Sequence, residues 1–439
     1  MSSLPPVRIG LLGLGTVGGG TVTVLQRNAD VISRRAGRSI EIIAASARDI
    51  TKHRPFDLTG IELFDDPAAV VRHPDIDVIV ELIGGIEPAK ALVLAALEGG
   101  KHVVTANKAL IALHGNEIFA AAHRTGTMVA FEAAVAGSIP VIKAIREALA
   151  GNRIEWLAGI INGTCNYILT AMSDEGREFA DVLTEAQALG YAEADPSFDI
   201  DGIDAAHKLT ILSAIAFGIE LQFESVYVEG IRSISRADVA YASKLGYRIK
   251  HLGLARHGPN GIELRVHPTL IPARQMLASV DGVMNAVMIT GDAAGPTLYY
   301  GAGAGAEPTA SAIVADLVDV VRALTGDPEN RVAHLAFQPD ALVQLPIVDM
   351  ADIETAYYLR LNVVDQPGVL ADVTRILGSG GISIEAILQQ EAERDAATVP
   401  VVILTHRVIE RAMNEALAEI EMLPQIHDQI VRIRLEPLA

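Results

Sequence analysis

Along the first third of the chain, hydrophobic positions fall into short solid runs separated by helical stretches. "VRIGLLG" (7–13), "SIEIIAASAR" (39–48), "DIDVIVELIG" (75–84), "KHVVTAN" (101–107) and "TMVAFEAAV" (127–135) read as buried strands. Between them, "TVGGGTVTVLQRN", "PAKALVLAALEGG" and "ALIALHGNEIFAAAHRTG" carry apolar residues at helical spacing. Solid strands alternating with helices predict a parallel sheet covered on both faces. After residue 135 the texture changes, and longer helical patterns dominate. "RIEWLAGIING" (153–163) and stretches near 221–232 and 261–271 read as strands of a second, mixed sheet. "SAIVADLVDVVRALTG" (311–326) is an amphipathic helix, predicted to pack back on the first domain. Residues 327–352, with the turn "GDPEN", read as a linker. The remainder runs strand "YYLRLNVVD", helix "GVLADVTRILGSG", strands "ISIEAILQQ" and "TVPVVILTH", helix "VIERAMNEALAEIEML" and strand "QIVRIRLEP". That is the βαββαβ order of a ferredoxin-like module. The expected organisation is α/β: a first domain over 1–135, an α+β domain over 136–310 and a small module over 353–439.

Composition narrows the function classes. At 439 residues, half of them hydrophobic and 20% charged, the chain can build two or three cores. A net charge of −19 argues against nucleic acid and anionic membrane surfaces as partners. The single cysteine, Cys165, excludes an internal disulfide and fits a reducing cytoplasm. The start "MSSLPPVRIG" lacks the pattern of a signal peptide. No apolar run reaches the roughly 18–20 residues needed to cross a bilayer. The expectation is a cytoplasmic protein with small-molecule partners.

"GLGTVG" (13–18) sits where the first strand turns into the first helix. Gly13 permits the tight turn, Gly15 lets backbone approach a pyrophosphate, and Gly18 permits close helix–strand packing. Thr16 and Val17 open the helix whose amides and dipole attract phosphate. This is the context a Rossmann-type dinucleotide site requires. The second strand ends "AASARD", with Arg48 at its tip and Lys52 four residues on. Cations there suit the 2′-phosphate of NADP; the alternative is that Asp49 binds a ribose hydroxyl and NAD is used. "VVTANKAL" (103–110) puts Thr105 and Lys108 at the carboxyl end of a strand, where ligand crevices form. In "EAAVAGSIP", Glu132 and the carbonyls of Val135, Gly137 and Ile139 form an oxygen set suited to a hard cation. The bare pattern also reads as a hinge between domains.

The densest chemistry lies in "YAEADPSFDIDGIDAAHK" (191–208). Glu193, Asp195, Asp199, Asp201 and Asp204 precede Lys208, which opens an apolar helical stretch. Asp204 and Lys208 share a helix face. Asp199 or Asp201 can cap that helix, and a capped helix with one surface ion pair explains part of the cluster. A lysine beside carboxylates on an otherwise apolar helix can move protons, and the carboxylates can bind an ammonium group. "GAGAGAEPTA" (301–310), with Gly305, can approach a ligand through its backbone. Cys165 has no histidine beside it in sequence and reads as a small buried side chain.

With "INGTCNYILT" (161–170) these motifs appear in an order that closely resembles homoserine dehydrogenases of the long bacterial type, across essentially the whole chain. The resemblance implies NAD(P)-linked interconversion of L-homoserine and L-aspartate 4-semialdehyde. It implies that Lys208 donates and accepts the proton and that Lys108 assists between nicotinamide and substrate. Glu193 would bind the substrate amino group, and Asp199 and Asp204 would shape the pocket. Gly163 and Thr164 would contact substrate, and Thr105 and Gly305 the cofactor. Glu132, Val135, Gly137 and Ile139 would hold sodium or another monovalent cation. "VVDQPGVLADVTRIL" and "ISIEAILQQ" resemble an ACT module, with Asp365, Gly368, Val369 and Leu370 as its ligand loop. L-threonine would be the effector, and a homodimer or homotetramer the assembly. Two rival readings remain: a semialdehyde dehydrogenase using Cys165 as nucleophile, and an amino-acid sensor without catalysis.

Overall fold

The computed structural model describes residues 4–389 and 398–438; Gln390, at the end of one expected strand, lies outside them. The chain divides into two units, Met1–Leu157 with Ala206–Val226 and Asn285–Leu345, and Ala158–Ala205 with Tyr227–Met284 and Pro346–Ala439.

In the first unit, the solid apolar runs form a parallel sheet. Its strands are β1 (Val7–Leu12), β2 (Ile40–Ser46), β3 (Glu62–Phe64), β4 (Val78–Glu81), β5 (His102–Thr105) and β6 (Val129–Ala130). They lie in the order β3-β2-β1-β4-β5-β6, all pairs parallel. This is the dinucleotide-binding order, and it reverses between β1 and β4, where ligands bind. The helix Ala306–Ala323 packs on Thr16–Arg27 so closely that a side chain at Gly20 would come within 2.4 Å of the Ala306 carbonyl. It begins five residues before the apolar pattern that predicted it.

The fifth expected strand, 127–135, shortens to two residues and gives way to a 3-10 turn, Glu132–Ala134. The donors of that segment are taken elsewhere. The Glu132 amide donates to the Asp316 carboxylate at 2.8 Å, and the Ala134 amide to the Phe131 carbonyl at 2.9 Å. Two neighbouring strands, Met284–Gly291 and Gly295–Ala302, were not expected.

In the second unit, Tyr247–Gly258 and Gly261–Pro272 form a long antiparallel hairpin. The C-terminal module has strands Glu354–Val364, Ile384–Gln389, Thr398–Thr405 and Ile426–Leu435, with helices Val369–Ser379 and Glu410–Glu421. Its last strand runs parallel to the hairpin, Thr269 opposite Arg434 and Leu270 opposite Leu435. Module and hairpin therefore share one sheet in this unit, in the order 247–258, 261–272, 426–435, 354–364, 398–405, 384–389.

The expected linker is tied down within each unit. Val343 donates to the Gly218 carbonyl and Val348 to the Ile262 carbonyl, both at 2.9 Å. No helix among the described residues is long and apolar enough to cross a membrane.

Candidate active site

The glycine turn after β1 separates packing from binding. Gly13 has φ +103°, and a side chain there would lie 2.8 Å from the Leu82 carbonyl. A side chain at Gly18 would lie 2.1 Å from the Gly13 carbonyl. Gly15, which caps the helix beginning at Thr16 and Val17, has no atom within 4 Å of a built Cβ. Two glycines are thus required by the fold, and the third leaves open space at a helix N-terminus. That is the cradle a pyrophosphate needs, so the residues fit a dinucleotide.

Arg48 and Lys52 are exposed in the loop after β2. Asp49 is turned into its own loop. It accepts from the Thr51 hydroxyl at 2.7 Å and from the Thr51 and Lys52 amides at 2.9 and 3.1 Å. The Thr51 hydroxyl, with that residue's amide, holds the Asp49 carboxyl below its usual range. Arg54, which the sequence did not single out, donates to the Asp49 and Lys52 carbonyls of the same loop.

At the ends of β4 and β5, the buried Glu81 carboxylate accepts from the Thr105 hydroxyl at 2.7 Å and from the amides of Ile83 and Gly84. The Thr105 hydroxyl accepts the Asn107 amide at 3.0 Å, and Asn107 caps the helix Lys108–Thr125 through the Leu110 amide. Lys108 is therefore the first residue of a capped helix, half-buried at the carboxyl edge of the sheet. A cation opposes the dipole there, so the fold holds it at some electrostatic cost. Glu81 and Asn107 organise this corner, and sequence reasoning missed Glu81 because it closes an apolar run.

Glu132 is buried, and its two carboxylate oxygens accept the amides of Ile142 and Lys143 at 2.9 and 2.8 Å. Burial pushes its carboxyl up to about 7, and pushes neighbouring Asp316 well above the usual range. Ala136 and Gly137 follow with φ +56° and +55°. A side chain at Gly137 would meet the Gly303 backbone at 2.6 Å. The Ile139 carbonyl accepts the Val141 amide at 2.8 Å. Each carboxylate or carbonyl oxygen that holds one amide keeps a second lone pair. The oxygen set, with Val135 between Glu132 and Gly137, is compatible in chemistry with a hard cation. Among the described residues no cluster of three or more His, Cys, Asp or Glu side chains offers an alternative metal site. Gly305, with φ +127°, precedes the helix Ala306–Ala323. Asn285, buried near the start of the strand Met284–Gly291, packs its carboxamide against Gly303 of the same glycine-rich stretch.

In the second unit the acidic stretch is sorted by its partners. Asn162 caps the helix Gly163–Glu175, its side-chain oxygen accepting the Cys165 amide at 2.8 Å. Its amino group donates to Asp199 and to Asp204, each at 2.8 Å. The Thr164 hydroxyl donates to the Tyr191 carbonyl at 2.6 Å and lies 3.4 Å from Asp199. Two carboxylates are thus gathered around one carboxamide at a helix N-terminus beginning with Gly163 and Thr164. Asp204 lies on the first turn of the helix Ile203–Phe217, whose residues from Ala206 on belong to the first unit; Lys208, one turn along that helix, is 8% exposed. The other acids face elsewhere. Asp201 takes the Arg232 guanidinium, Asp195 accepts the Ser197 amide, and Glu193 is exposed, its carbonyl held by Gln187. Cys165 is fully buried, its thiol 3.3 Å from the Asp199 carbonyl, which suits packing better than nucleophilic attack. In the C-terminal module, Asp365 and Gly368 are exposed and Gly368, with φ +99°, caps the helix that begins at Val369 and Leu370.

Residues 13–132 match the family described as homoserine dehydrogenase, NAD binding domain; 140–318 match homoserine dehydrogenase; and 357–421 match the ACT domain. The homoserine dehydrogenase of Pseudomonas aeruginosa is 62% identical over 437 residues, 99% of this chain and 100% of that one. The crystal structure of a homoserine dehydrogenase from Thiobacillus denitrificans, 61% identical, superposes with a TM-score of 0.95 over 100% of both chains. A hyperthermophilic archaeal homoserine dehydrogenase in complex with NADPH is 29% identical, with a TM-score of 0.62 over 72% of this chain and 98% of that one.

Proposed function

The chain belongs to the homoserine dehydrogenase family and is an oxidoreductase, and on that premise we propose that it interconverts L-homoserine and L-aspartate 4-semialdehyde with NADP(H), using Lys208 for proton transfer. The observation that carries this reading is the Asn162-bridged pair of Asp199 and Asp204, followed one helical turn later by buried Lys208. A bound nicotinamide supplies the hydride acceptor. Neutral Lys208 takes the proton that the homoserine hydroxyl loses as its carbon becomes an aldehyde, and in the reverse direction protonated Lys208 returns it. Lys108 stabilises the charge that develops on the oxygen. Glu193 binds the substrate ammonium, Asp199 and Asp204 shape the pocket and orient Lys208, and Gly163 and Thr164 are further contacts. No thiol step is needed.

The cofactor lies on Gly13, Gly15, Thr16, Val17 and Gly18, with Thr105 and Gly305 as further contacts. Arg48 and Lys52 receive a 2′-phosphate, a reading supported by Asp49 being engaged within its own loop; NAD is the second choice. Glu132 with the carbonyls of Val135, Gly137 and Ile139 holds sodium or another monovalent cation. L-Threonine binds at Asp365, Gly368, Val369 and Leu370 and lowers activity. The enzyme works in the cytoplasm as a homodimer or homotetramer, on the route to threonine, methionine and isoleucine.

NADPH absorbance followed with L-aspartate semialdehyde tests the core of this. Lys208→Ala is expected to lower turnover about 10³-fold, within the usual range for a lost general acid, with NADPH binding retained. Near wild-type turnover in that variant would remove Lys208 from the mechanism. The same assay, run with and without L-threonine and with sodium replaced by choline, checks the effector and the cation.

A further inference from the structure

The short stretch Tyr227–Arg232 has partners on both sides within the second unit. On one side stands Arg434, on the last strand of the C-terminal module, its side chain fully buried. Its guanidinium donates to Glu229 at 2.7 Å, to the Tyr227 hydroxyl at 3.0 Å, and to both oxygens of Glu410. The Tyr227 hydroxyl donates in turn to Glu229 at 2.9 Å. On the other side stands the backbone between the two proposed substrate carboxylates. The Ile231 amide donates to the Ile200 carbonyl at 2.8 Å. A side chain at Gly230 would lie 2.3 Å from that carbonyl, and one at Gly202 3.0 Å from Val228. The Glu229 carbonyl meets the ring of buried His251 at 3.0 Å, and that ring borders Gly202. The stretch is clamped to the hairpin as well, through the Glu229 amide and the Val266 carbonyl at 2.8 Å. Direct contacts thus run from Arg434 through Tyr227–Arg232 to residues 200–202.

We infer that Glu229 and Arg434 are positioning residues for the substrate carboxylates: the Arg434–Glu229 pair fixes Tyr227–Arg232, which fixes Ile200–Gly202, which sets where Asp199 and Asp204 stand around Asn162. The inference rests on the reading of Asp199 and Asp204 as substrate groups. It also gives the C-terminal module a direct hold on that loop, through a strand of its own sheet rather than through a tether.

The test is steady-state kinetics of homoserine oxidation by the full-length protein, with NADPH affinity measured separately. Glu229→Gln keeps the shape and the Tyr227 hydrogen bond but removes the charge that holds Arg434. The expected result is a KM for homoserine raised about tenfold, the size of one charge-assisted hydrogen bond, with kcat and NADPH affinity within about twofold of wild type. Tyr227→Phe should move KM the same way by less, and Glu229→Asp should restore part of the loss. Where Glu229→Gln does not fold, Tyr227→Phe decides by the same measurement. Wild-type KM in folded variants overturns the inference, as does a parallel loss of kcat, NADPH affinity and thermal midpoint, which marks a structural role only. Asp199→Asn separates the two readings. If it leaves KM for homoserine unchanged, the substrate assignment itself has failed; if it raises KM while the Glu229 and Tyr227 variants do not, only the positioning has failed.

Discussion

At the scale of single residues, Asn162 decides what the acidic stretch can do. Two carboxylates brought to one point repel, and a neutral carboxamide with two N–H donors lets both stay. Its oxygen caps the next helix, so both ends of the Asn162 carboxamide are engaged. Asn162→Asp keeps the cap, since aspartate is as good a capping residue, but replaces the shared donor with a third negative charge. Stability should change by less than about 1 kcal/mol on the capping side. The substrate side should suffer far more: kcat/KM for homoserine should fall by about 10² or more, with NADPH affinity intact. Equal loss of substrate and cofactor binding would mean that Asn162 supports the fold rather than the carboxylates. This arrangement was half legible in the sequence. The cluster of acids before a buried lysine stood out, but charge count alone could not sort it. Asp199 and Asp204 face Asn162 while Asp201 faces Arg232, and that division depends on partners some 30 to 40 positions away.

At the scale of elements, the strand–turn–helix at the start of the first sheet shows how one motif serves two purposes. Gly18 is pressed on the Gly13 carbonyl at a distance no Cβ tolerates, whereas Gly15 faces open space. Alanine at these two positions should therefore fail differently. Gly18→Ala should lower the thermal midpoint, because helix and strand must separate to admit the methyl group. Gly15→Ala should melt like wild type, yet bind NADPH at least about tenfold more weakly, because the methyl group occupies the approach of the pyrophosphate. A Gly15→Ala protein with full NADPH affinity would place the phosphates elsewhere. Elements of this kind were readable because the period of an apolar run is local. Strands with polar residues at buried positions were harder. Gly261–Pro272 was expected over 261–271, but its neighbour Tyr247–Gly258 was not: Lys250 and His251 are both buried there, so that strand shows no clean apolar pattern. The pair Met284–Gly291 and Gly295–Ala302 was lost for a related reason: its second strand is only half-buried and rich in glycine and tyrosine.

At the scale of the whole molecule, the C-terminal module looks detachable in sequence and is not so in its unit. A βαββαβ pattern predicts a self-contained fold, and the helices and strands of residues 354–435 form one. Its final strand nevertheless completes the hairpin sheet and brings Glu436 to buried Arg265 at 2.6 Å, with Arg256 at 3.4 Å from the same carboxylate. Arg265 and Glu436 are each 1% exposed along their side chains. Glu436, with part-buried Glu263 at 3.0 Å, thus neutralises a guanidinium that water cannot reach. Glu436→Gln in the full-length chain keeps Arg265 buried and leaves it Glu263 alone. Removing one partner of a buried pair costs about 3–5 kcal/mol, and with Glu263 retained the lower end applies, which for a unit of this size lowers the midpoint by roughly 10 °C. Arg265→Met added to Glu436→Gln should recover part of the loss, because an apolar side chain of similar length has no charge left to neutralise. If Glu436→Gln costs little, or Arg265→Met recovers nothing, the buried charge is not what binds module to hairpin. The seam would then be held by its strand pairing, its apolar contacts and the Arg434–Glu229 pair.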